Sequence, residues 1–164
     1  MSLRLRLILV LLGIYCLGGY YLLHRAIDQL RPRYLESMEE SLVDYAVVLA
    51  SIVETAARGG ELDLTDFSRA VAAAQEREFA AKIFSLRKTA IDLRVYVVDT
   101  HGRVVFDSTG RDLGADYSRW NDVLRTLRGE YGARSTRDEH GNDETQVIYV
   151  AAPIRHAGEI VGAV

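Results

Sequence analysis

From Leu7 to Leu23 the chain reads LILVLLGIYCLGGYYLL, without one charged side chain. With Leu3 and Leu5 the apolar stretch reaches the roughly 20 residues a helix needs to cross the hydrocarbon core of a bilayer. In lipid the backbone polar groups must satisfy one another, so helix is the state open to such a segment. Arg4 and Arg6 flank one end, His24 and Arg25 flank the other, and Tyr20 and Tyr21 are placed for an interfacial belt. The run is long for the apolar part of a cleaved signal peptide, and no A-x-A-like site follows it. Bulky Tyr15 before Cys16 does not suit lipoprotein processing, which leaves Cys16 as a small apolar residue of the span. The expectation is an uncleaved transmembrane anchor over 1–24 with a short cytoplasmic tail, followed by an extracytoplasmic domain over 25–164. Charge alone does not fix the orientation, because Arg25, Arg31 and Arg33 balance Arg4 and Arg6.

The 164 residues suffice for one domain with a proper core beyond that anchor. A formal net charge of -3 gives no electrostatic footprint for nucleic acid. Cys16 is the one cysteine, so no disulfide forms within the chain.

Past the apolar run, Pro32 marks a break or kink. A long helical pattern then covers Tyr34–Arg58. Leu35, Met38, Leu42, Tyr45, Leu49, Ile52 and Ala56 recur in steps of three and four, and Gly59-Gly60 stops the helix. The heptads fit a helix lying on its own domain core or a seam with a second copy; Val47, Val48 and Val53 widen the apolar face toward the first. A second helix starts with Thr65 or Asp66 as N-cap and runs through Phe67, Ala70, Val71 and Ala74. The stretch from Glu78 to Thr89 fits helix or loop. LRVYVVD and RVVFDS, joined by Thr100-His101-Gly102, predict a β-hairpin with Gly102 in the left-handed position. Ser118 caps a short helix through Trp120, Val123, Leu124 and Leu127, ending near Gly129. YGARSTR is a strand, DEHGND a turn, TQVIYVAAPI the strongest strand, Ala157-Gly158 a turn, and EIVGAV a last strand that the sequence leaves truncated. This order is an α+β domain with an antiparallel sheet and helices on one side.

Catalytic chemistry is not signalled. His24, His101, His140 and His156 are scattered, without metal-ligand spacing, and no P-loop or G-x-S-x-G elbow occurs. Asp99, Asp107, Asp112 and Asp116 lie beside turns, where acids are turn formers. The expectation is no catalytic residue, no metal and no cofactor. Recognition chemistry is densest in Asp116-Tyr117-Ser118-Arg119-Trp120-Asn121-Asp122. Arginine clamps a carboxylate or phosphate through two hydrogen bonds, and tyrosine and tryptophan offer flat apolar walls. Trp120 equally suits the core anchor of its short helix, and Arg119 and Arg134 equally suit surface ion pairs.

DYSRWNDVLRTLRGEYGARSTR followed by VIYVAAPI, preceded in order by YVVDTHGRVVFDS and GRDLGADYSRW, resembles the periplasmic sensor region of the CreC-type sensor histidine kinases. The resemblance covers nearly the whole chain, densely from Tyr96 to Ile154 and loosely from Gly59 to Leu93. It implies a PAS-like, PDC/CACHE-type fold in the periplasm, anchored in a bacterial inner membrane. It also implies a homodimer and, beyond this chain, a second membrane helix, a kinase core and the response regulator CreB as partner. No phospho-acceptor box or ATP-lid motif stands in these residues, so this stretch is expected not to be an enzyme. The resemblance supplies no ligand residues; from the residues themselves, the expected site takes a small anionic ligand, with Arg119 and Arg134 meeting its charge and Tyr96, Tyr117, Trp120 and Tyr149 lining the walls. The helix Tyr34–Arg58, together with the membrane helix, is expected to carry the homodimer and the signal. A chemoreceptor or cyclic-dinucleotide enzyme headed by the same sensor type stays open. So does a periplasmic protein-binding module with no small-molecule ligand.

Overall fold

The structure, a computed structural model, describes residues 3–56, 62–137 and 146–164, without the side chains of 27–34, 137 and 146. The chain divides into two compact units, Met1–Glu40 and Ser41–Val164. Helix α1 spans Leu3–Ala56. In the first unit its segment Leu3–Ala26 is 24 residues long, wholly exposed, and long and apolar enough to cross a membrane. The helix runs on through Pro32, where a break was expected. A proline removes one helical hydrogen bond, and here that loss does not end the helix. The expected stop at Gly59-Gly60 and the DEHGND turn lie outside the described residues.

The second unit is α+β. Its elements are α2 (Thr65–Gln75), β1 (Ala81–Ile83), β2 (Leu86–Lys88), β3 (Tyr96–Asp99), β4 (Val104–Asp107), α3 (Asn121–Leu127), β5 (Gly132–Arg137), β6 (Gln146–Ala151), β7 (Pro153–His156) and β8 (Glu159–Ala163). A four-stranded antiparallel sheet has the order β4-β3-β8-β7, and β5 pairs with β6 in a ladder of its own. TQVIYVAAPI therefore forms two strands rather than one. Ala152, between them, exchanges both backbone hydrogen bonds with Val164, so the chain passes from one ladder to the other without losing its pairing.

Strand β3 explains where the core sits. Alternate side chains of a strand point to opposite faces. Val95 and Val97 join Ala46, Ala50 and Val53 of α1 and Phe67 and Val71 of α2 in one apolar cluster. Tyr96 and Val98 join Tyr117 and Val123 in another. The sheet is thus covered on both faces, α1 and α2 on one and α3 on the other, which corrects the expectation of helices on one side. An unbroken buried run, VYVV, follows from that double cover.

Local chemistry sets the boundaries. Gly102 has φ of 78°, and a Cβ there would stand 2.6 Å from the Ser118 Cα, so the β3–β4 turn needs glycine for conformation and for space. Asp99 fastens the same turn by accepting from the N–H groups of His101 and Arg103. At α2 the N-cap is Leu64, not Thr65 or Asp66. Asp63 accepts from the Thr65 N–H, and Leu64 packs on the core. The Glu78–Thr89 stretch is neither helix nor loop but the β1–β2 hairpin.

Candidate functional site

Helix α3 begins at Asn121, with Trp120 at its N-cap in an extended conformation and without a side-chain cap bond. Ser118, expected as the cap, gives its N–H to Asp116 Oδ1 instead. Trp120 is drawn out of the helix by its partners. Its ring stacks on Tyr117 with centroids 3.5 Å apart, and the Arg134 guanidinium carbon stands 3.9 Å from its centre. Tyr149 flanks the same guanidinium at 4.3 Å. Arg134 comes from β5, Tyr149 from β6 and Tyr96 from β3. Register places Arg134 directly opposite Tyr149. A guanidinium between two aromatic faces is a favourable cation–π arrangement.

Beneath this stack lies Asp122, fully buried on α3. Arg134 Nε donates to its Oδ1 at 3.1 Å, and the Tyr96 hydroxyl donates to its Oδ2. Burial, and then the Asp122 charge, push the Tyr96 phenol well above the ordinary tyrosine range, so Tyr96 stays a donor. Arg134 Nη2 is buried and has no hydrogen-bond partner among the described residues. An unsatisfied buried donor costs about 1–3 kcal/mol.

A second ionic group adjoins the first through Tyr117. Arg94 Nη2 donates to Asp107 at 2.8 Å, to Asp112 at 2.5 Å and to the Tyr117 hydroxyl at 3.3 Å. Burial opposes ionisation of Asp107, but Arg94 and the N–H groups of Asp112 and Thr109 outweigh it and hold the carboxyl well below its usual range. The Tyr117 hydroxyl, and then Arg94, lower Asp112 likewise. Burial and the Asp112 bond push Tyr117 up to about 12. Arg94 is held through Nε and Nη2 and acts as a structural strut.

Five of the six residues expected at the site, Tyr96, Tyr117, Trp120, Arg134 and Tyr149, therefore meet in one cluster. Arg119 is exposed and makes none of these contacts. Sequence reasoning passed over Asp122, whose one signal was its place at the end of the DYSRWND stretch, and over Arg94, which nothing in the sequence marks. The cluster fills its own interior with side chains. The cleft beside it, between α1 and the strands, is lined by Leu42, Leu49, Leu93, Tyr96, Tyr149 and Val164 among others and has room for about 60 Å³ of water. That is a few water molecules at most.

No family model matches the sequence. Over 162 residues, 99% of its length, the chain is 35% identical to Sensor protein CreC of Escherichia coli (strain K12). This chain is similar to a part of CreC. It spans 34% of the CreC sequence, about a third. The likeness to CreC runs through both units and includes the elements that build the aromatic cluster.

Proposed function

We propose that the chain is the anchored signal-sensing region of a two-component sensor histidine kinase. The observation that carries this is the 35% identity to Sensor protein CreC along 99% of the chain. In this reading Leu3–Ala26 spans the bacterial inner membrane and Ser41–Val164 is the periplasmic sensing unit. The parent protein supplies the kinase core and acts on a response regulator of the CreB type; the sensing stretch does no chemistry itself. The antiparallel strand order β4-β3-β8-β7, with β6 of the separate β5–β6 ladder running on into β7, supports a PAS-like, PDC/CACHE-type assignment. Homodimerisation through α1 is supported by Tyr45, Val48 and Ile52, 57%, 57% and 47% exposed and spaced three and four apart.

The ligand is a small anion, received at the unpartnered Arg134 Nη2 between Trp120 and Tyr149. Binding must favour one state of the domain over another to signal, and the Asp122–Arg134 pair is the element an incoming carboxylate or phosphate would open. Autophosphorylation of the full-length parent with ATP tests this. Arg134→Ala and Trp120→Ala should shift the rate several-fold from wild type and abolish its response to the ligand. Unchanged rates and an unchanged response would remove the cluster from the sensing mechanism.

One observation favours a second reading. The cluster is closed by its own side chains, and the adjoining cleft is small, as suits a sensor that reads a periplasmic protein. Thermal melting against small organic acids and phosphate compounds separates the two, because a ligand of the folded state raises the midpoint with concentration.

A further inference from the structure

Between Glu78 and Asp92 the chain has no acidic residue, and in that stretch β1 and β2 form a hairpin closed by Phe84 and Ser85. Every residue from Lys82 to Ala90 is exposed. Ile83 faces Leu86 at the end of the ladder, 47% and 61% exposed. Phe84 stands at the turn, 95% exposed, with φ of 51°. A left-handed backbone is unfavourable for a bulky residue, and water rewards neither that conformation nor the bare ring. One step behind this apolar tip, Lys82 lies directly opposite Arg87, with Lys88 beside it. Like charges facing each other across a ladder destabilise it. A two-stranded hairpin is in any case marginal in water. None of the three cations makes an ion pair among the described residues.

An apolar tip with a basic collar matches an anionic bilayer surface. Apolar side chains enter the boundary between headgroups and acyl chains, while lysine and arginine reach back to the phosphates. Two observations favour lipid over a protein partner. The same chain carries a segment able to cross a bilayer. Within Ser41–Val164, the hairpin leads to Leu93 and Arg94, which line a cleft with Leu42 and Tyr45, near the N-terminal end of that unit.

We propose that the β1–β2 hairpin is a second membrane attachment, inserting Ile83, Phe84 and Leu86 into an anionic lipid interface with Lys82, Arg87 and Lys88 on the headgroups. The proposal rests on Leu3–Ala26 crossing the membrane. It makes the sensing unit responsive to the charge of the lipid beside it as well as to its ligand.

The test is site-directed spin labelling of the whole chain in vesicles. In a Cys16→Ser background, a label at Ser85→Cys is compared in phosphatidylcholine with 30% phosphatidylglycerol (about one lipid in three) and in phosphatidylcholine alone. In the anionic vesicles oxygen should reach the label while an aqueous nickel complex is excluded. Both signs of insertion should fade without phosphatidylglycerol and in K82E/R87E/K88E. A label equally open to the nickel complex in both vesicles overturns the proposal. So does a label shielded from both reagents, which would mark a protein seat for the hairpin. A second label at Leu12→Cys separates the premise from the proposal. Leu12 in the bilayer with Ser85 in water sinks the hairpin contact alone, whereas Leu12 in water sinks the anchor.

Discussion

Asp122 is fully buried, and the two groups that satisfy it come from β5 and β3. Removing the carboxylate leaves the Arg134 guanidinium, whose side chain is 17% exposed, without its counter-charge. Loss of one partner of a buried ion pair costs about 3–5 kcal/mol. Asp122→Ala is therefore expected to lower the thermal midpoint of the chain in detergent by many degrees. Asp122→Asn, which keeps an acceptor, should lose less. A midpoint equal to wild type for the alanine variant would show that the pair does not hold α3. The Arg94 group gives a pH dependence. Asp107 and Asp112 are depressed below their ordinary value of 3.8. Their contribution is complete above that value and is lost as pH falls through the lowered folded values. Acid unfolding followed by circular dichroism should begin below about pH 4, and Arg94→Met should flatten it. At the alkaline end Tyr117, raised to about 12 from 10.0, contributes stability below pH 10 that is lost as pH rises through 12. At this scale the sequence showed aromatic and basic residues in one dense stretch, which is why Tyr117 and Trp120 were legible. It did not show Asp122 as their keystone or Arg94 as a strut. Both depend on contacts across 12 to 26 residues of chain, and no local pattern encodes such a distance.

Helix α3 sits close on β5 because Gly132 has no side chain. A Cβ there would stand 2.1 Å from the Asp122 carbonyl oxygen and 2.3 Å from Thr126 Oγ1. Gly132→Ala must push the helix away from the strand, and an overpacked contact of this kind costs about 1–3 kcal/mol. Chemical denaturation should register that loss, and it should appear together with weaker Trp120 emission contrast on unfolding, since Trp120 leads into α3. An unchanged unfolding midpoint would mean that helix and strand are not this close. The periodicity of α1 was legible as a heptad, but its division between two faces was not. Leu49 packs toward the core with Ala46, Ala50 and Val53, Leu42 and Tyr45 edge the adjoining cleft with Tyr45 still largely exposed, and Val48 and Ile52 stay outside. The pattern holds two apolar stripes side by side, and periodicity alone does not tell which one the sheet will cover. The β1–β2 hairpin was illegible for a related reason. Its strands are three residues long, its faces are both exposed, and its turn is closed by Phe84 and Ser85 in place of the usual asparagine and glycine.

The Ser41–Val164 unit is an α+β body whose sheet is sandwiched between α1 and α2 on one face and α3 on the other. The cluster at Arg134 and Trp120 is thereby one sheet thickness from α1, through β3, whose Tyr96 faces the cluster and whose Val97 faces the helix. Packed cores switch between discrete arrangements rather than deform continuously, so the proposed signal would need only a small shift of α1. The outer stripe of that helix is the proposed dimer contact. Val48→Glu is expected to weaken self-association at least tenfold by sedimentation in detergent, with the fold intact by circular dichroism. A dimer as strong as wild type would place the seam elsewhere. The most direct measurement of the central claim uses a chimera in which this chain replaces the matching third of Escherichia coli CreC. Phosphorylation of the response regulator is then followed in membranes. A sensing region should give kinase output that Arg134→Ala locks several-fold high or low. Output that stays the same for wild type, Arg134→Ala and a chimera lacking Ser41–Val164 would contradict a sensing role for this chain.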